Sequence, residues 1–473
     1  MERCRERAAQ RAGLIGERGY SVDGWSIALG LSGILFVGGC VRLNSVSPLY
    51  VRRPERSWTP VPASPAVSSP GRQSSRRGAP HDSTGRPHPA SLRREPAPPG
   101  RDRIRRDDPV RAALTPMSDV TTRIRTLSFL TPGNYPDDDP YAGLEDTLRL
   151  FEYGESLGFD GAWIRQRHLE HGVGSAAVFL AAAGQRTSRI ELGTAVIPIG
   201  YESPFRLAED LSLADVLSRG RLQAGFSAGT PPHAELIGHR VFDGDWRTYD
   251  LSYGRIGRLI ENLRGDYLGA ADTVIHSPGN TQRPRLQPHN PGLIARLWYG
   301  GASIRSVRWA GENGLNLLTG NIVFGERSDD FTTTQLDLIG EYRRLADPAR
   351  PARVAVGRVI FPFDSADRAT RERYRRYAAG RHERTLAPQG ERRVLFAPDL
   401  VGTADEIIDR LRADPVLART SELRLELPYE FHRADYEQIL HDTVELIAPA
   451  LGKQAVAPRL GNEYDGDAVA ASA

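Results

Sequence analysis

A glycine-rich turn, Gly300-Gly301-Ala302-Ser303, joins a short apolar run to the start of a predicted helix. Glycines let an oxyanion approach the backbone closely, and the free N–H groups of the first helical turn stabilise its charge together with the helix dipole. The hydroxyl groups of Ser303 and Ser306 add two possible donors. We therefore predict a phosphate site at Gly301, Ser303 and Ser306. The alternative is that Ser303 only caps its helix.

A second polar group, Arg165-Gln166-Arg167-His168, follows a strand-like run. An imidazole at a strand end can transfer a proton or donate a hydrogen bond to a substrate at neutral pH. We predict a site role for His168, against the alternative of an incidental polar loop residue. Glu170 and His171 lie nearby, but no second pair of ligands has suitable spacing, so no metal site is predicted.

Other strand ends carry small residues that would leave room for a flat ring against the backbone. They are Thr194-Ala195-Val196 and Ser227-Ala228-Gly229-Thr230, for which simple barrel packing is the alternative. Arg255 could supply a counter-charge for a phosphate, or it could be solvated. Three aromatic residues at or near strand ends are candidates for the wall of an apolar pocket: Phe129, Trp163 and Tyr299. For Trp163, burial in the core is the favoured alternative.

The elements that must position these residues follow a repeating pattern. Strand-like runs at 159–164, 190–197 and 221–226 alternate with helical segments at 176–188 and 204–218. Eight such repeats predict an α/β fold, a (β/α)8 TIM barrel with insertions, whose site lies at the carboxyl ends of the strands. A doubly wound open sheet is the alternative, but residues 130–134 after the first strand are not a glycine-rich phosphate loop. The long excursion 265–293 is expected to be a lid.

Net charge and the positions of the cysteines distinguish residues 1–116, the front of the chain, from the remaining residues, its body. Residues 1–116 contain 20 arginines and 10 acidic residues, a net charge of +10 in a 473-residue chain of net +3. The body is therefore acidic, and we expect no nucleic-acid partner. Both cysteines, Cys4 and Cys40, lie in the front, which excludes disulfides, thiolate metal sites and a cysteine nucleophile from the body. We predict an Arg/Pro/Ser-rich disordered extension at 1–116, the barrel at 117–453 and a flexible tail at 454–473.

The front region has three interpretations. Translation could start at Met117, shortly before the first strand-like run, or residues 1–116 could be a true disordered extension. The apolar stretch Trp25 to Val41 could instead be a membrane or lipid anchor, although it is short for a bilayer span. Apart from that possibility, no membrane partner is expected, and a cytoplasmic location is predicted.

Taken together, several segments resemble the bacterial luciferase-like flavin monooxygenases over residues 125–451. They are Gly158-Phe159-Asp160-Gly161-Ala162-Trp163, the run 187–194, Ala208-Glu209-Asp210, the run 215–222, Gly300-Gly301-Ala302-Ser303 and Val401-Gly402-Thr403.

The resemblance implies reduced FMN as the cofactor, or in one branch the deazaflavin F420. It implies that the flavin ring rests on the end of the third strand, at a non-prolyl cis peptide that corresponds to Ala195–Val196. The cofactor-binding residues expected from the motifs and the resemblance together are Thr194, Ala195, Val196, Ser227, Gly229, Gly301, Ser303, Ser306 and Arg255.

The resemblance also implies a monooxygenase that acts on a small organic substrate with O2, with reduced flavin from a separate reductase and with a homodimeric state. Arg167 and His168 are the expected catalytic residues. Gln166-Arg167-His168 replaces the family's Glu-His-His, and Ser227 and Ala228 replace the reactive Cys and the Arg of luciferases, so light emission is not expected. Two alternatives stay open: an F420-dependent dehydrogenase or reductase, which basic residues near the mouth such as Arg255 and Arg283 would favour, and a flavin-binding protein without turnover.

Overall fold

The computed structural model describes residues 122–454 and two short strands, Ser21–Val22 and Trp25–Ser26, which pair antiparallel. The two strands belong to a separate compact unit from the body. The other predictions for residues 1–116, including the anchor and the start at Met117, lie outside the described residues, as does the tail after 454.

Eight parallel strands form a closed barrel within residues 122–454. Each strand pairs with the next along the chain, and the last pairs with the first, which closes the ring. The barrel strands are β1 Thr126–Thr131, β2 Gly161–Ile164, β3 Glu191–Thr194, β4 Leu222–Ser227, β5 Leu297–Gly300, β6 Asn316–Thr319, β7 Val354–Arg358 and β8 Glu422–Glu426. The predicted (β/α)8 barrel is confirmed.

Helices surround the barrel and bury an apolar face against it. They are α1 Pro140–Leu157, α2 Ala176–Arg186, α3 Pro204–Leu217, α4 Ala234–Val241, α5 Tyr253–Arg264, α6 Ile304–Glu312, α7 Phe331–Leu345, α8 Arg368–His382, α9 Ala404–Arg412 and α10 Arg433–Asp442. Gly158 ends α1 in the left-handed conformation, as its position predicts. Helix α4 was not predicted, because its eight residues are too few to show a clear period.

Short strands outside the barrel organise the loops at its carboxyl end. The predicted strand 190–197 divides into β3 and the pair Ile197–Pro198, which hydrogen-bonds to the end of β4. The loop after β6 contains Ile322–Phe324, which pairs antiparallel with Val394–Phe396 from the insertion after β7. These loops surround the mouth of the barrel.

The excursion 265–293 is not a lid. It follows helix α5 and leads into β5, so it lies at the amino end of the barrel, opposite the predicted site. Asn290 and Arg296, at and just beyond its end, hydrogen-bond to the carboxylate of Asp215, which also accepts from the N–H of Leu222 at the start of β4. Arg283, expected near the mouth, lies within this excursion and stacks over the ring of Tyr267. A segment that connects a helix to the next strand reaches that strand at its amino end. The excursion therefore lies at the opposite end of the barrel from the cavity and does not cover it.

Side chains fill the interior of the barrel below its carboxyl end. Arg353 lies at the amino end and binds Glu422 and Glu191 at 2.7 and 2.9 Å. Above it, the buried Trp298 donates from Nε1 to Gln223 and packs edge-on against Trp163, with ring centroids 5.4 Å apart. The interior is thus a packed core rather than a pore.

No helix in the described part of the chain combines the length and the apolar character that a membrane span requires.

Candidate active site

A cavity of about 330 Å3 opens at the carboxyl ends of the barrel strands. Its walls come from strand ends and the loops that follow them. The lining residues are Leu130, Arg165, Gln166, Arg167, His168, Glu170, Ala195, Val196, Pro198, Ser227, Pro232, Gly300, Gly301, Ala302, Leu318, Gly320, Asn321, Ile322, Arg424 and Glu426. Of the sequence-predicted site residues, the structure brings Arg167, His168, Ala195, Val196, Ser227 and Gly301 together here.

The three aromatic residues predicted to wall the pocket do not line the cavity. Phe129 packs edge-on against Phe151 and Phe159 between the barrel and helix α1. Side chains alternate along a strand, so Leu130, the next residue, faces the cavity instead. Phe129 therefore does not line this cavity, because its side chain points away from the barrel interior.

Trp163 and Tyr299 are also core residues. Trp163 is 2% exposed and lies inside the barrel in a buried cluster against which Ala195 and Val196 pack. Gly193 makes room for it, since a side-chain carbon at position 193 would lie 2.1 Å from the indole. Tyr299 faces the helices, its hydroxyl accepts from the N–H of Ala228 at 3.2 Å, and burial raises its pKa.

Ala195 and Val196, at the end of β3, form an apolar wall of the cavity. The peptide bond Ala195–Val196 is cis, as the family resemblance implies. Gly300 faces it from β5, and a side-chain carbon at position 300 would lie 3.1 Å from Val196. Thr194 itself is fully buried, and its hydroxyl donates to the carbonyl of Gly225 and accepts from the N–H of the same residue. Its side chain therefore ties β3 to β4 and does not reach the cavity.

The start of helix α6 lies beside this wall and already holds an anion. The carboxylate of Glu326 accepts a hydrogen bond from the N–H of Ile304 at 2.7 Å. Ser303 and Ser306 form a capping box in which each hydroxyl accepts from the other residue's N–H. Since the helix start binds a carboxylate in this structure, the donors present there fit a phosphate group.

The two serines differ in what they can still offer. The hydroxyl of Ser306 also donates to the carbonyl of Ser303 at 2.7 Å, so its hydrogen is used within the cap. No such bond engages the hydroxyl hydrogen of Ser303 among the described residues. The N–H of Gly301 donates to the carbonyl of Leu318 at 2.9 Å, which leaves Gly301 to shape the turn rather than to donate. The geometry thus favours Ser303 over Ser306 as a side-chain donor.

Two further predicted cofactor residues lie away from the cavity. Arg255 is buried, donates to the backbone carbonyls of Glu202 and Asp250, and stacks over the ring of Phe242. Its guanidinium therefore binds the loop before α5 and does not line the cavity where a phosphate counter-charge was expected. The N–H of Gly229 donates to the carbonyl of Leu251 at 2.8 Å, and the residue is likewise absent from the cavity lining.

His168 lines the cavity and is oriented by Gln166. The amide of Gln166 accepts from the N–H of Ala176 through Oε1 and donates to Glu202 at 2.7 Å through Nε2, which fixes its orientation. The same Nε2 lies 3.2 Å from Nε2 of His168. His168 must therefore accept at Nε2 and carry its proton on Nδ1. Burial lowers the pKa of His168, so the ring is neutral at pH 7.

The cavity also contains charged residues that were not singled out from the sequence, Arg424 and Glu426, beside the predicted group at Arg165 and Arg167. Arg165 and Arg167 both donate to the hydroxyl of Tyr429, at 2.5 and 3.0 Å. Arg424 and Glu426 line the cavity from β8. The signal was present in the alternation Arg424-Leu425-Glu426, because a period of two puts both charges on the inner face of the barrel.

Comparisons with known proteins agree with this architecture. Limonene 1,2-monooxygenase of Rhodococcus erythropolis is 32% identical over 207 residues, which cover 41% of this chain and 53% of that protein. The 4-hydroxyprotoasukamycin monooxygenase of Streptomyces nodosus subsp. asukaensis is 34% identical over 112 residues, 23% of this chain and 30% of that protein. The chain thus spans about half, or less, of the length of these curated relatives.

A solved structure and a family match extend the comparison over the barrel. The monooxygenase RslO1 from Streptomyces bottropensis has the same fold, with a TM-score of 0.51 at 19% identity, over 68% of this chain and 99% of its own. Residues 124–418, more than half of the chain, match the luciferase-like monooxygenase family. With its closed barrel and its cavity at the carboxyl ends of the strands, the chain belongs to the luciferase-like monooxygenase family.

Proposed function

We propose that the protein is a flavin-dependent monooxygenase that uses reduced FMN and O2 to oxidise a small organic substrate. The observation that carries this proposal is that Ala195 and Val196 line the same cavity as Gly301 and Ala302, which lead into the helix start where the N–H of Ile304 binds a carboxylate. FMN combines a flat aromatic ring with a phosphate group, which would match this wall and this helix start.

Each part of the cavity has a distinct task. Ala195 and Val196 would hold the ring, and Gly300 beside Val196 adds no side chain to this wall. The first turn of α6, with the hydroxyl of Ser303, would hold the phosphate in place of Glu326. The packed barrel beneath the cavity excludes water from the reacting atoms.

The bound cofactor would supply two electrons to O2, of which one oxygen atom enters the substrate and the other leaves as water. His168 contributes a neutral ring with Nδ1–H as a donor, which can orient or protonate a developing oxyanion. Arg167 adds a fixed positive charge held by Tyr429 and by Glu170 at 3.8 Å. We propose that both residues act on the reacting atoms.

The two alternatives have less support. The two basic residues expected to favour F420 are engaged elsewhere: Arg255 binds backbone carbonyls, and Arg283 stacks on Tyr267 in the excursion at the amino end. A flavin-binding protein without turnover would need a cavity without acid–base groups. Arg167 and His168 in the lining weigh against that role.

Partners and assembly form part of the proposal. A separate reductase would deliver the reduced flavin, and the chain would form a homodimer. Exposed apolar side chains on the adjacent helices α2 and α3 support a second copy as the partner: Val178, Leu213, Val216 and Leu217. The cytoplasmic location stays a prediction from the sequence.

The test uses the full-length protein under anaerobic conditions. Reduced FMN and reduced F420 are titrated separately, and 18O2 is then admitted with a panel of small organic compounds. We expect tighter binding of FMN, consumption of oxygen, and one 18O atom per molecule of product by mass spectrometry. Selective binding of F420, with no oxygen consumed, would contradict the proposal in favour of hydride transfer.

A further inference from the structure

One wall of the cavity, formed by β8 and the loop after β2, carries a net positive charge. Three guanidinium groups face the cavity there, from Arg165, Arg167 and Arg424, against the two carboxylates of Glu170 and Glu426. His168 is neutral and adds no charge at pH 7. The arginines therefore exceed the acids on a wall that is separate from the helix start of α6.

Arg424 is the least satisfied of the three arginines. Its side chain is 3% exposed, and neither Nε nor Nη1 has a hydrogen-bond partner among the described residues. Its Nη2 lies 3.7 Å from Glu426, beyond hydrogen-bond range, and the guanidinium stacks 5.4 Å from the ring of Trp163. Buried polar groups are nearly always hydrogen-bonded, so two free N–H donors on a buried cation indicate a missing acceptor.

The neighbouring acid does not supply that acceptor. Glu426 accepts a hydrogen bond from Arg165 at 3.5 Å and lies 3.7 Å from Nη2 of Arg424, so its only hydrogen bond to these two arginines goes to Arg165. Its side chain occupies space that Gly320 and Gly357 leave open and that a side-chain carbon at either position would fill. Tyr429, which accepts from Arg165 and Arg167, offers a hydroxyl and not a carboxylate. One positive charge on this wall is left without a partner.

We propose that this wall binds the carboxylate of the substrate, so that the proposed monooxygenase acts on small organic acids, with Arg424 and Arg165 as the residues that select them. A carboxylate is planar and presents two oxygens, which matches the paired donors of a guanidinium. A neutral substrate would leave Nε and Nη1 of Arg424 unpaired in the closed cavity. The proposal rests on the proposed function for the oxidation but not for the binding step.

The binding step is tested without flavin. Full-length protein free of FMN is titrated by calorimetry at pH 7.5 with benzoate and cyclohexanecarboxylate, and then with the corresponding neutral amides. We expect each acid to bind at least about tenfold more tightly than its amide, because only the acid pairs with the guanidinium groups. Equal binding of acid and amide, or no binding of any acid up to millimolar concentration, would overturn the proposal.

Variants locate the effect. Arg424→Gln and, separately, Arg165→Gln should each weaken binding of the acids roughly tenfold and leave the amides unchanged. The exposed Arg376→Gln is the matched control and should bind the acids like the wild type. Arg165 is more exposed than Arg424, so its variant keeps the test valid if Arg424→Gln does not fold. Unchanged affinity for the acids in a folded variant of both residues would refute the assignment.

A fluorescence titration with FMN separates the two proposals. If the acids bind selectively but FMN does not bind, the function proposal fails and the carboxylate site stands. If FMN binds and oxygen is consumed while acids and amides bind equally, the carboxylate site fails and the function proposal stands. If FMN and benzoate compete for binding, the flavin itself occupies the basic wall. The arginines would then bind the cofactor, and the carboxylate site would be refuted.

Discussion

Glu326 accepts a hydrogen bond from the backbone N–H of Ile304, and its carboxylate thereby occupies the amino end of helix α6. The contact joins the loop after β6 to the predicted phosphate site. An exposed acid at this position would compete with a phosphate group for the same donor. The loop and the cofactor are therefore expected to exclude each other at this point.

Replacing Glu326 with Gln should raise the affinity for FMN roughly fivefold, because the phosphate no longer displaces a negative charge from the helix start. Flavin fluorescence titration measures the change. Riboflavin, which lacks the phosphate, is the control ligand, and its affinity should stay the same. An equal gain for riboflavin would mean that Glu326 acts on the ring and not at the helix start.

Ser303→Ala should affect both the helix and the cofactor. Loss of the cap is expected to lower the free energy of unfolding by about 1 kcal/mol. Loss of the free hydroxyl donor should also weaken FMN binding roughly tenfold. Thr403→Ala, which removes the equivalent residue from the capping box of α9, is the matched control. If both variants lose stability but bind FMN equally well, Ser303 is a cap and nothing more.

His168 should make the folded protein sensitive to acid. Burial lowers its pKa below the ordinary 6.5, so below that pH the unfolded chain takes up a proton that the folded protein does not. Its contribution to stability is full above pH 6.5 and is lost as the pH falls toward the lowered value. Urea unfolding at a series of pH values measures the free energy of unfolding. This free energy should fall less steeply with decreasing pH in His168→Gln than in the wild type. The exposed His239→Gln should retain the wild-type dependence, and a wild-type curve for His168→Gln would contradict the burial of a neutral ring.

An aspartate on the exposed face of α2 and α3 should dissociate the proposed homodimer. Val178→Asp and Leu213→Asp place a charge where 69% and 50% exposed apolar side chains would otherwise be covered by the second copy. Sedimentation velocity measures the result, and we expect a shift from dimer to monomer without loss of the circular dichroism of the barrel. Leu386→Asp, at an exposed apolar residue elsewhere, is the control and should stay dimeric. A wild-type protein that sediments as a monomer would remove the prediction.

The order of the strands and helices was predictable because the spacing of apolar residues and the residues that begin or end a helix are local features of the sequence. Gly158 and Ser303 mark the end of α1 and the start of α6 where the structure has them. The facing of Phe129, Trp163 and Tyr299 was not predictable in the same way. Strands of a parallel barrel are buried on both faces, so a run of apolar residues does not reveal which of two neighbours points inward.

The two charged residues of β8 were missed for a related reason. A charge within a strand is usually assigned to the solvent face, but the interior of this barrel takes Arg424 and Glu426 at its carboxyl end. Arg255 shows the opposite error, since its position near a helix start suggested a phosphate partner while backbone carbonyls of a neighbouring loop bind it. Such partners are distant in the sequence and become evident only once the chain is folded.

The packed side chains of Trp163, Trp298 and Arg353 beneath the cavity close the route through the barrel from its amino end. Because the barrel is filled below the cavity, the proposed flavin, oxygen, substrate and product would all enter and leave at the carboxyl end. A molecule bound deep in the cavity would then be covered by the one that binds after it. The product would have to leave before another reduced flavin could bind. Steady-state kinetics should accordingly show a compulsory order of binding and release rather than independent exchange.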